Sequence, residues 1–184
     1  MIVILHEEGI NKMAKDKSTK EFSTKQEKLI AKVLHGKVVP ASGARPTTPG
    51  DVSSWDWLAE CKTHVEPGHT IMFNHDVWKK ICDEAAAMHR KPVLIVDDGS
   101  QKEKFTWCLC RLFNIDRSRL LELDFPVAVR KNASAKHDKL NDTMNAAIKP
   151  YVGDFYIGGY YLLKWDNEDV AILPLSTFKE VLDN

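Results

Sequence analysis

The segment Lys91-Pro-Val-Leu-Ile-Val96 carries a continuous apolar run, and no other feature of the chain limits its fold so tightly. A strand sends successive side chains to opposite faces, so a strand that is apolar throughout must be covered on both sides. The run is short and rich in β-branched residues, which favours a strand over a helix. Just before it, Val77, Trp78, Ile81, Ala85 and Met88 recur at helical spacing, and Asn74 or His75 can open that helix. A helix that returns the chain to a doubly covered strand predicts an α/β fold, with a mixed sheet flanked by helices.

The upstream elements fit the same frame. Residues 9–22 are polar, Lys-rich and aperiodic, and residues 1–22 read as a flexible basic arm. Thr24 with Glu27 three positions on fits a capping box, and Leu29, Ile30, Val33 and Leu34 form an apolar stripe that Gly36 ends. Lys37-Val-Val-Pro40 reads as a short strand, and residues 41–50, with two Pro and two Gly, as a loop. A hairpin is predicted next, from Asp51–Ser54 and Trp57–Thr63 with Trp55-Asp56 at its turn. Further on, Phe105–Phe113 and Leu120–Phe125 read as strands, Ser134–Ile148 as a helix capped by Ser134, Phe155–Leu163 and Val170–Leu173 as a closing strand pair, and Ser176–Leu182 as a short helix.

At 184 residues the chain suits one domain, residues 23–184, and its 43 % hydrophobic and 28 % charged content is that of an ordinary globular protein. No apolar run approaches the ~20 residues that span a bilayer, and Met1–Leu5 is too short for a signal-peptide core. An intracellular, cytoplasmic protein without a membrane partner is expected, its four cysteines reduced. The net charge is zero, yet between Asn11 and Arg45 nine basic residues face three acidic ones, an excess of six. Lys28 and Lys32 belong to that stretch, which can meet a polyanion such as DNA or simply solvate a surface.

Cleaving a phosphodiester requires a cation against the phosphate, and hard divalent cations prefer carboxylate oxygen. Asp51 opens one hairpin strand and Glu60 lies on the other, so antiparallel pairing can bring the two acids to one end and one face. Lys62 shares the face of Glu60 two residues on, where an ammonium can orient water and stabilise the transition state. Asp51 can also be a turn residue, Glu60 and Lys62 an exposed ion pair, and Glu27 a capping residue only.

Pro49-Gly-Asp51 followed by Glu60-Cys-Lys62 resembles the PD-(D/E)xK motif of the restriction-endonuclease-like nucleases. Taken with the helix bearing Glu27, the Ser42-Gly-Ala44 loop and the later helix-strand unit, the chain is most similar to archaeal-type Holliday junction resolvases and related phage endonucleases. The resemblance covers residues 23–96, 74 of 184, and leaves residues 97–184 as a C-terminal extension. It implies a restriction-endonuclease-like core of order αβββαβ, with Asp51, Glu60 and Glu27 as metal ligands and Lys62 as the catalytic lysine. Mg²⁺ is the implied ion, with Mn²⁺ able to substitute, and no small-molecule cofactor is expected. DNA, branched by preference, is the implied substrate, contacted by Ser42, Arg45, Lys28 and Lys32, and a homodimer would nick both strands. A restriction- or repair-type nuclease acting on linear DNA, or a non-catalytic DNA-binding module, are the alternatives. Cys61, His64, Cys108 and Cys110, with His69 and His75 nearby, offer zinc-type ligands, but they lack a paired CxxC spacing. Trp55, near the hairpin turn, can stack on a base.

Overall fold

Helix α1 (Ile4–Val33) leads into β1 (Lys37–Val38), β2 (Val52–Ser53) and β3 (Trp57–Lys62), followed by β4 (Ile71–Phe73), α2 (His75–Ala87) and β5 (Lys91–Asp97). The chain continues through β6 (Thr106–Arg111), β7 (Leu120–Asp124), β8 (Ala133–Ala135), α3 (His137–Ile148), β9 (Gly158–Trp165), β10 (Glu168–Pro174) and α4 (Leu175–Leu182). The computed structural model describes residues 4–40, 49–129, 131–151 and 155–183, and their side chains from residue 19 onward. Eight strands form one mixed sheet in the order β1-β2-β3-β5-β6-β10-β9-β7, while β4 and β8 pair as a separate ribbon.

β5 sits inside the sheet, parallel to β3 and antiparallel to β6. Its side chains divide between two cores. Leu94 and Val96 pack with Trp78, Ile81 and Ala85 of α2 and with Leu140 and Met144 of α3. Val93 and Ile95 pack on the other face with Ile30 and Val33 of α1 and with Leu175 and Phe178 of α4. Cover on both faces is what an unbroken apolar strand demands, so the fold is α/β, with helices on each side of a mixed sheet. α2 begins where the Asn74 carboxamide oxygen accepts the N–H groups of Asp76 and Val77, at 2.9 and 3.1 Å.

Four expectations change. α1 starts at Ile4, so it takes in the stretch read as a loose arm, and Thr24 lies inside it. The upstream residues are mostly good helix formers without proline, and helix propensity prevails over their lack of apolar periodicity. The third helix begins at His137, not Ser134; Ser134 lies in β8 opposite Met72, and Lys136 precedes the helix without a side-chain cap. The β4–β8 ribbon was not anticipated. Finally, residues 97–184 are no appendage, because β6, β7, β9 and β10 supply four of the eight sheet strands.

Candidate active site

The β2–β3 hairpin pairs Val52 with Ala59 and Ser53 with Leu58. Asp51 lies just before the paired residues and is held against the strand that carries Glu60. Two hydrogen bonds fix Asp51. Its N–H donates to the Ala59 carbonyl at 2.7 Å, and its Oδ2 accepts the Cys61 N–H at 2.8 Å. Gly50 just before it has a φ of +65°, in the left-handed region, and its N–H donates to Glu84 Oε2 of α2 at 3.1 Å. Glu60 is 7 % exposed, and Lys62 Nζ lies 2.5 Å from its Oε1.

α1 reaches the same place through a residue that sequence reasoning missed. Gln26 is buried and donates from Nε2 to the Lys62 carbonyl at 3.0 Å, tying the helix to the end of β3. Its signal was available: Gln26 precedes Ile30 by four positions and Val33 by seven, on the buried stripe. The neighbouring Glu27 is drawn into the field of the hairpin acids. Burial, then the charges of Asp51 and Glu60, hold its carboxyl above the usual range. Burial disfavours the Lys62 ammonium, but its hydrogen bond to Glu60 and the charges of Glu60 and Asp51 outweigh it and raise its pKa. Glu27, Asp51, Glu60 and Lys62 are therefore electrostatic neighbours. Three carboxylates against one ammonium leave an excess of two negative charges when all are ionised.

A second polar group follows along the same strand ends. Thr63 Oγ1 donates to Asp97 Oδ1 at 2.8 Å, as does the Gly99 N–H at 2.5 Å. Asp97 is fully buried, its other oxygen has no partner among the described residues, and burial raises its carboxyl above the usual range. His64 stacks on His69 with ring centroids 4.3 Å apart, and burial, then His69, keeps its imidazole below the ordinary histidine value. His64 and Lys62 line one hollow with Met72 and Asn74.

The other expected site residues are dispersed. Lys28 and Lys32 are exposed on α1, while Ser42 and Arg45 lie outside the described residues. Cys108 and Cys110 are fully buried in the core under α1 and α4, with Cys61 packed against it, and all are free thiols. Among the described residues, no group of three or more His, Cys, Asp or Glu is disposed to hold a metal ion, and the thiol–imidazole zinc set is not gathered. Nor, among these residues, is any helix long and apolar enough to cross a membrane. Comparison of the chain with protein-family models, with curated proteins and with solved structures found no match.

Proposed function

We propose that the chain is a metal-dependent DNA endonuclease with a restriction-endonuclease-like core, acting on branched DNA as a homodimer. The observation that supports this reading is the Asp51 carboxylate held on the Cys61 N–H of β3, the strand on which the Lys62 ammonium stands 2.5 Å from Glu60. The donor set suits a hard cation: the gathered groups are oxygen acids with surplus negative charge, and Cys61, Cys108 and Cys110 belong to the core on the other face of the sheet. Asp51 and Glu60, with Glu27 from α1, would hold Mg²⁺ or Mn²⁺. Such a cation, when bound, draws charge from the phosphate and makes water more acidic.

The chain's own groups do the rest. The Cys61 N–H fixes the Asp51 carboxylate and leaves its second oxygen for other partners. Glu60 keeps Lys62 charged, so the ammonium is ready to orient a water and to stabilise negative charge on phosphate oxygen as it develops. Gln26 holds the strand end that carries Lys62.

The test is nicking of a four-way junction in Mg²⁺ or Mn²⁺. Wild-type protein is expected to cut, and Asp51→Asn and Lys62→Ala to lose at least about a hundredfold in rate, as expected for electrostatic catalytic groups. An inactive wild type, or full activity in both variants, removes the reading. The lack of a three-ligand group among the described residues favours a second reading, a non-catalytic DNA-binding module. Its mark is salt-sensitive binding without cleavage in any divalent ion.

A further inference from the structure

Trp55 is 93 % exposed, whereas Trp57, Trp78, Trp107 and Trp165 are each 5 % exposed or less. An indole left in water forgoes a large gain from burial. The turn does not need it there. Ser54 closes the hairpin by donating its N–H to the Trp57 carbonyl at 2.9 Å and accepting the Trp57 N–H on its hydroxyl at 3.1 Å.

Cations lie beside Trp55. The indole borders a cleft whose lining includes His35, Lys37 and Arg90 together with the apolar Val38, Val39 and Pro40, and no Asp or Glu is among the described residues that line it. Arg90 hydrogen-bonds the Ser53 hydroxyl, which places its guanidinium beside the turn and leaves further donors for a ligand. Two acids stand at the rim: Asp56, next in the chain, and Asp183, 3.7 Å from His35. A single aromatic face with two permanent cations next to it suits a nucleobase flanked by phosphates.

We propose that Trp55 is a stacking platform for an unpaired DNA base, with Lys37 and Arg90 taking the adjoining phosphates. Duplex bases hide their faces against one another, so the platform selects single strands or the open point of a branch. The inference rests on the nucleic-acid partner of the nuclease reading and not on cleavage. It also adds a spacing. Three residue steps along the hairpin lead from Asp51 to Ser54, roughly 10 Å at ~3.3 Å per residue, which is about three stacked nucleotides. The unpaired base is therefore expected about three nucleotides from the phosphate that meets the acids.

The experiment is a titration of the full chain, in EDTA, with a single-stranded oligothymidylate and with a blunt duplex of the same length. Because Trp55 is the one strongly exposed indole of five, stacking is read as quenching of the long-wavelength emission. Quenching by the single strand but not by the duplex is expected. Trp55→Ala should weaken single-strand binding about tenfold, with duplex binding little changed, and Trp55→Tyr should restore most of the loss. Equal quenching by both DNAs, no quenching, or wild-type single-strand affinity in Trp55→Ala would overturn the platform. Binding through Trp55 by a chain that nicks nothing would leave the platform standing and remove only the nuclease.

Discussion

Asp51 owes its position to a glycine. A Cβ on Gly50 would stand 2.9 Å from the Leu58 side chain and 3.1 Å from the Ala59 carbonyl, at a φ of +65° that L-residues disfavour. Gly50→Ala is expected to cost about 1–2 kcal/mol in urea unfolding and to move Asp51 off the Cys61 N–H, lowering nicking more than the stability loss alone explains. Unchanged stability together with unchanged activity would contradict this. A second residue-scale effect concerns His137, whose Nδ1 accepts the Trp107 indole N–H at 3.0 Å and whose pKa burial lowers from 6.5. An acceptor nitrogen must be unprotonated, so the folded state binds the proton less readily than the unfolded chain. Its contribution is fully present above pH 6.5 and is lost as pH falls through the lowered folded value. His64, depressed chiefly by burial, acts with the same sign. Melting temperature is therefore expected to drop between pH 7.5 and 5.5 more steeply in the wild type than in His137→Gln, which cannot titrate there.

Among the elements, β3 joins site and core, since Glu60 and Lys62 alternate with Trp57, Ala59 and Cys61. Phe178 of α4 closes the far side by meeting the Trp57 ring edge-on, with centroids 5.1 Å apart. Phe178→Ala is expected to cost about 3–5 kcal/mol by leaving a cavity against the start of β3, read as a shift in urea midpoint. A loss under about 1 kcal/mol would mean that α4 is peripheral to the sheet. The hairpin is legible in the sequence because Ser54-Trp-Asp-Trp57 separates two strand-like runs, and β5 because it is apolar on both faces. α2 announces itself by its stripe and by Asn74. The β4–β8 ribbon is not legible, because two three-residue strands 59 residues apart carry no local signal of pairing. The capping box of Thr24 and Glu27 is a genuine pattern in sequence but lies in mid-helix in the fold. Gln26 is placed on the buried stripe by its spacing to Ile30 and Val33, but its partner, the Lys62 carbonyl 36 residues on, has no local signal in the sequence.

For the whole molecule, a net charge of zero means that binding of the proposed DNA partner would depend on where the charges sit. Acids gather at the hairpin, while exposed lysines run along the outside of α1. Lys25, Lys28 and Lys32, spaced by three and four, fall on one side of the helix whose buried stripe carries Gln26 and Ile30. A phosphate backbone following that side would reach the acids beside Glu27 from the neighbouring turn of the same helix, with the lysines offsetting the repulsion between carboxylates and DNA. Each lysine that neutralises a duplex phosphate adds about 0.9 to the slope of log affinity against log salt. Lys28→Ala combined with Lys32→Ala is thus expected to flatten that slope by roughly 1.8, measured in EDTA on Asp51→Asn protein so that cutting does not interfere. Thermal stability should stay within about 0.5 kcal/mol of the parent, because both side chains are exposed. A slope unchanged by the pair would mean that the lysine side of α1 faces solvent in the complex, and the strand would then have to approach from the open end of β3 and β5, past His64 and Lys62.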